Sequence, residues 1–156
     1  MELMNDQKKA VEKLNDLLEK NYDARKGYTE AMEDIEDPAL RNYFMMQAER
    51  RSHFANELTN RIKSCGGEPI DSGSTTGDLH RTWMNIKSSM SGDKEEAILE
   101  ECIRGDKASV EEYQDAIEDQ HLNVADKDII RKEKAEVEQT LGKIKTMEDV
   151  RQYYGE

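Results

Sequence analysis

The chain writes one helical face twice. Asn21 is followed seven residues later by Tyr28, and Asp106 is followed seven residues later by Tyr113. The tyrosines lie 113 − 28 = 85 residues apart, and the surrounding text matches at that offset. YTEAMEDIED, from Tyr28, aligns with YQDAIEDQHL, from Tyr113. Ala31 thus falls on Ala116, Met32 on Ile117, Glu33 on Glu118 and Asp34 on Asp119; upstream, Leu18 falls on Ile103. Seven residues is two turns of an α-helix, so each polar residue shares a stripe with its tyrosine. The stripe is otherwise apolar, as in the seam of a helical bundle, and here it carries polar groups inward.

The apolar spacing extends this reading to the whole chain. Val11, Leu14, Leu18, Asn21, Arg25, Tyr28, Met32 and Ile35 follow steps of three and four, which predicts a first helix from about Asn5 to Ile35. Asp37-Pro38 ends it and opens the next, with the aspartate as N-cap and the proline in the first turn. The second helix is expected from Pro38 to about Cys65, with Leu40, Phe44, Gln47, Arg51, Phe54, Leu58 and Cys65 inward and Gly66-Gly67 as its stop. Residues 66–92 are read as a crossover, beginning with the low-complexity GGEPIDSGSTTG. It carries a short helix at about 78–90, on which Leu79, Trp83, Ile86 and Met90 share a face, before a break at Ser91-Gly92-Asp93. Asp93 and Glu96 resemble a capping box for a third long helix, Lys94 to Asp119, with Leu99, Ile103, Asp106, Val110, Tyr113 and Ile117 inward. Asn123 caps a fourth, with Ile130, Lys134, Val137, Leu141 and Ile144 inward. Short loop, long crossover, short loop gives an all-α, up-down-down-up four-helix bundle, expected as one domain over residues 1–156.

Composition narrows the function classes. Charged residues make up 37% of the chain and hydrophobic ones 35%; because the latter are periodic, the reading is long solvated helices rather than disorder. A net charge of −12 argues against nucleic acid and anionic membrane surfaces as partners. No apolar run approaches a membrane span, and MELMNDQKKAVEKL lacks a signal-peptide core. Cys65 and Cys102 have no metal-type spacing and are read as reduced cytoplasmic thiols. There is no HExxH and no CxxC, and GSTTGD lacks the lysine of a phosphate cradle. His53, His80 and His121 are scattered and read as ordinary surface histidines.

The order of helices, the polar-x6-Tyr repeat and the ending FANELTNRIKSCGGEP resemble the ferritin-like superfamily. GGEPIDSGS, LHRTWMNIK and ILEECIRGDKASVEEY resemble, more closely, an uncharacterised bacterial domain-of-unknown-function family of ferritin-like bundles, over about residues 10–147. The resemblance implies a fold and says little of function. Metal-binding ferritin-like proteins place a glutamate seven before the tyrosine on the first and third helices and an E-x-x-H pair on the second and fourth. Carried onto this chain, the first position falls on Asn21 and the third-helix position on Asp106. The second-helix pair falls on Arg51 and Phe54, because FANEL stands where an H-A-x-x-L stretch opens. The fourth-helix pair falls on Glu138 and Leu141.

That substitution pattern points to a degenerate metal site. A guanidinium with five donors suits two carboxylates, so an Arg51–Asp106–Glu138 network is expected where a metal pair would sit, with Lys134, Asn21 and the Tyr28 and Tyr113 hydroxyls around it. The open alternative is that Arg51 snorkels to the surface. Two function classes follow. One is a non-catalytic bundle with no cofactor, an interaction or stress-associated protein that binds an unidentified protein or itself. The other is an active di-iron or di-manganese carboxylate protein, an oxidase or iron-handling protein with displaced ligands, drawn from Glu49, His53, Glu19 and Glu100 or Glu101.

Overall fold

A computed structural model of the chain describes residues 4–74, 77–88 and 93–155. Every regular element among them is helical: α1 (Asn5–Ala31), a 3-10 turn (Met32–Asp34), α2 (Pro38–Ser64), α3 (Asp78–Ser88), α4 (Lys94–Ile117), α5 (Val124–Lys143) and α6 (Met147–Tyr154). The expected break at Ser91-Gly92, and Met90 before it, lie outside the described residues. The four long helices and the short crossover helix sit where the periodicity puts them, with ends moved by a few residues. The eight-residue α6 was not foreseen.

The punctuation works through backbone chemistry. Asp37 Oδ1 accepts the Ala39 and Leu40 N–H groups at 2.9 and 3.2 Å, giving donors at the start of α2 a partner. At the other end Gly66 adopts φ 78°, and the Gly67 N–H reaches back to the Ile62 carbonyl at 3.0 Å. That is a Schellman stop, and the positive φ is why glycine stands there. Asp93 caps α4 through the Glu95 and Glu96 N–H groups. Asn123 caps α5, where its side chain and that of Asp126 accept each other's N–H. Thr146 and Asp149 form the same kind of box at α6.

Contacts fix the helix directions. Along α1 and α4, Tyr28 meets Asp106 and Asn21 meets Tyr113, so the two run antiparallel. Along α2 and α5, Arg61 meets Asp126, Lys132 meets Glu57, and Arg50 meets Thr140, again antiparallel. With tight α1–α2 and α4–α5 connections this is the up-down-down-up order, and α2 and α4 point the same way. α6 folds back on α2. Its Tyr154 ring lies 5.0 Å from that of Tyr43, and Arg151 Nη2 donates to Asp37 Oδ2 at 3.1 Å.

The apolar interior is two lobes. One packs Leu14, Leu18, Phe54, Leu58, Ile62 and Ile130. The other packs Tyr28, Leu40, Tyr43, Phe44, Leu99 and Ile144, with Trp83 of α3 against it. A buried polar layer of Asn21, Arg51, Asp106, Ser109 and Glu133 lies at the level where they meet. Among the described residues no helix is long and apolar enough to cross a membrane.

Asp37 carries two duties, the α2 cap and the Arg151 pair, so Asp37→Ala is expected to lower stability by about 1–2 kcal/mol in denaturant melts. Partial burial pushes the Asp37 carboxyl up, but the Leu40 N–H, Arg151 and the Ala39 N–H outweigh it and hold it below its ordinary value. Its contribution is therefore present above the unfolded value of about 3.9 and fades as pH falls through the folded one. A loss within the roughly 0.5 kcal/mol scatter of surface changes would show that the cap is redundant.

Candidate functional site

Four helices each send a polar side chain to mid-height. Arg51, from the inner stripe of α2, is 3% exposed, and Asp106 of α4 is 4% exposed. Arg51 Nη2 donates to Asp106 Oδ1 at 2.8 Å and to Ser109 Oγ at 3.1 Å, while Nη1 donates to Asn21 Oδ1 at 3.0 Å. The second carboxylate oxygen of Asp106 accepts the Tyr28 hydroxyl at 2.5 Å. One guanidinium thus ties α1, α2 and α4 together. Burial alone would make Arg51 easier to deprotonate, but Asp106 and the neighbouring tyrosines reverse this and raise its pKa. Burial first, and Asp106 second, push the Tyr28 hydroxyl well above the usual phenol range. The pair is therefore one cation and one anion, with Tyr28 a neutral donor.

The network continues toward α5. Asn21 Nδ2 donates to the Leu17 carbonyl at 2.9 Å and to the Tyr113 hydroxyl oxygen at 3.0 Å. Tyr113 in turn donates to Glu133 Oε1 at 2.9 Å. Glu133 is fully buried, and neither its Oε2 nor Glu57 Oε1 receives a donor among the described residues. The Glu57 carboxyl is nevertheless close enough to Glu133 to raise its pKa. Two ionised carboxylates cannot bond each other; one proton between them makes the contact favourable. Burial first, and Glu57 second, push Glu133 well above the usual carboxylate range, which favours its protonated form. Glu57, 18% exposed, accepts Lys132 Nζ at 2.6 Å through its other oxygen. The bonds then run one way, from Arg51 through Asn21, Tyr113 and Glu133 to Glu57 at the rim.

The structure corrects the sequence reading on α5. Glu138 was expected in the core; it is half exposed and pairs with Lys134 Nζ at 3.5 Å on the outer face. Lys134 is half-buried beside it, and Leu141 lies at the edge of the apolar lobe. The inward residues are Glu133 and Thr140, each one position earlier. Ile130, Val137 and Ile144 fit either stripe, so the choice of 133 over 134 depends on helix rotation, which periodicity does not set. A signal was available: the buried Tyr113 hydroxyl needs an acceptor, and Glu133 could supply one. On α1, Arg25 was read inward but is exposed, with its guanidinium 5.0 Å from the Tyr22 ring centre. Asn21, Arg51, Phe54, Asp106, Tyr28 and Tyr113 are all buried, and Arg51 does not snorkel. Phe54 stacks edge-on against Tyr113 at 6.5 Å.

The alternative ligand set is scattered. Glu49 and His53 are exposed, and His53 lies 3.6 Å from Glu57 on the outside of α2. Glu100 is exposed, Glu101 pairs with Arg104, and Glu19 and Glu101 line one opening between α1 and α4 that Glu49 and His53 do not reach. Among the described residues no three His, Cys, Asp or Glu side chains are grouped to hold a metal ion.

Two tests follow from the layer. Arg51→Met strips the cation and leaves Asp106 buried alone; the expected loss is about 3–5 kcal/mol. Adding Asp106→Leu and Tyr28→Phe removes the stranded groups and should recover most of it, since the penalty belongs to the unpaired charge. A single-variant cost under about 0.5 kcal/mol would mean the ion pair is not part of the core. For Glu133, the folded pKa lies above the unfolded value of about 4.3. Its contribution is fully present below the unfolded value and is lost as pH rises toward and through the folded one. Glu133→Gln keeps both hydrogen bonds without the proton. Its stability advantage over the natural chain should widen with pH above about 4.3, by up to roughly 1.4 kcal/mol per unit. A difference flat across pH 5–8 would contradict a protonated Glu133 (window set by the unfolded value of about 4.3).

The fold and the layer can be set beside known proteins. A crystal structure titled as ferritin-like, diiron-carboxylate proteins from Bacillus anthracis str. Ames superposes with a TM-score of 0.58 at 17% identity, covering 90% of each chain. At that identity the likeness is one of fold. No curated protein matches the chain. Residues 9–119, which hold α1 beyond its first turn, α2 to α4 and all of the layer except Glu133, match the family described as a domain of unknown function, DUF2383. The chain belongs to that family, and its fold is like that of the ferritin-like structure.

Proposed function

We propose that this chain is a non-catalytic ferritin-like bundle in which a fixed ion pair stands where the fold's metal-binding members hold a dinuclear centre. The carrying observation is the Arg51 guanidinium, buried 2.8 Å from Asp106 at the meeting point of α1, α2 and α4. The structural neighbour's title names a diiron-carboxylate protein, so the fit of such a pair here needs a test. The donors do not fit it. Asp106 has both oxygens engaged by Arg51 and Tyr28. Asn21 has its amide engaged at both ends, and Glu133, which burial and Glu57 push well above the usual carboxylate range, already accepts from Tyr113. Phe54 offers no donor atom. A dication would also have to displace a guanidinium that the layer already neutralises.

The reading that follows is an interaction or stress-associated protein of the cytoplasm, working through binding rather than turnover. Cys65 and Cys102 are free thiols, which suits a reducing compartment. Burial, and then Asp106, push the Cys102 thiol well above its ordinary range, so it is no nucleophile.

The discriminating measurement is elemental analysis of the purified chain together with melting in added iron(II) or manganese(II). The expectation is no stoichiometric iron or manganese and no rise in Tm, because a metal that binds only the folded state would raise it. About two metals per chain, lost in Asp106→Ala, would instead establish the dinuclear carboxylate class with its oxidase or iron-handling roles.

A further inference from the structure

Beside the ion pair the bundle has an opening, which Asp106 and Ser109 also line. α1 presents Ala24 and Gly27, and α4 presents Gly105 and Ala108, to a cavity of about 530 Å3 roofed by Trp83 of α3. Facing small residues usually let helices close up; here they leave space. A Cβ built on Gly105 would meet nothing within 4 Å. The volume lies in the range of small-molecule sites. The crossover is strapped over one edge, where Asp23 Oδ1 accepts the Ser74 N–H at 2.7 Å.

The charges around the opening are unequal. Its basic residues are already paired: Lys20 with Glu112 at 3.4 Å, Lys26 with Glu30 at 4.0 Å, and Arg104 with Glu101. Glu19 and Asp23, one turn apart on α1, meet no cation among the described residues. The walls are the Trp83 indole and the Tyr28 phenol, whose faces attract cations. Trp83 is buried, yet its Nε1–H donates to nothing among the described residues. Packing alone holds the ring, so it can re-seat over an occupant. The surrounding chain carries a net charge of −12, which raises the local concentration of cations and repels anions.

We propose that this cavity is a binding site for a small organic cation with an apolar body, with Trp83 and Tyr28 around the body and Glu19 and Asp23 facing the charge. The site is independent of the metal question, since it asks nothing of Arg51 and Asp106 beyond their present bonds.

Trp83 is the chain's only tryptophan, so its fluorescence reports the cavity directly. The full chain is titrated with benzyltriethylammonium, with neutral N,N-diethylbenzamide and with benzenesulfonate, by fluorescence and by calorimetry. A saturable signal with the cation, at least about tenfold tighter than with either analogue, is expected. Gly105→Leu fills open space and removes a helix-weakening glycine, so it should fold at least as well while abolishing the binding. Glu19→Gln with Asp23→Asn keeps the Ser74 contact and should weaken the cation several-fold while leaving the amide unchanged. No saturable signal, amide binding as tight as the cation, or cation binding unchanged in Gly105→Leu would each overturn the assignment.

Discussion

One buried guanidinium sets the terms for the rest of the bundle. Arg51 is held in the interior with Asp106 as its one formal counter-charge among the described residues. Two charges taken out of water are costly unless their remaining lone pairs and protons are matched, and here they are. Asn21, Ser109 and Tyr28 complete the bonds of the pair from α1 and α4. The consequence is geometric as well as energetic. Sliding α4 past α2 by one turn moves Asp106 by about 5.4 Å, far beyond hydrogen-bonding reach of Arg51. The two apolar lobes would tolerate such a slip more readily, since burial is not directional. The polar layer therefore defines the register of helices whose apolar stripes alone leave it loose.

The acid of α5 is handled differently. Glu133 makes no ion pair among the described residues, and burial pushes its carboxyl well above the usual range. It joins the layer as a hydrogen-bonding group rather than as a charge, accepting from Tyr113 and sharing a proton with Glu57. Within the layer one full charge pair is then buried among the described residues, which limits the desolvation the fold must offset. Glu57 and Lys132 sit at the rim, so the proton on Glu133 has a short way to water. The four helices share one polar level but not one protonation chemistry.

Much of this was legible in the text and some was not, for identifiable reasons. The helices followed from spacing and from capping residues whose chemistry is local, such as Asp37-Pro38 and Gly66-Gly67. Arg51, Phe54 and Asp106 were placed correctly inward because each lies on a long stripe anchored at both ends. The α5 stripe is anchored at Ile130, Val137 and Ile144, and a heptad leaves the position between them open by one residue. Between Ile130 and Val137 the segment RKEKAE offers no large apolar residue to decide it, so the spacing puts Lys134 and Leu141 inward where the structure has Glu133 and Thr140. The short α6 had its own signal in Thr146-x-x-Asp149, a capping box followed by Val150. The cavity was invisible, because it arises from small residues on two helices whose separation no sequence pattern states.

That cavity and the ion pair are linked by what each does to α1 and α4. Tyr28 and Asp106 belong to the layer and also line the opening. A bundle that carried only small residues on these two faces would be free to close the gap. The short Tyr28–Asp106 bond sets one fixed distance between the helices, and Trp83 fills the roof without a hydrogen bond of its own. The helices are braced at the centre and open beside it. Space beside a rigid brace is the arrangement in which a ligand can be bound without reordering the core, because the ordering has been done by the fold. In this bundle the polar centre acts as the support, and the chemistry that remains accessible lies in the opening next to it.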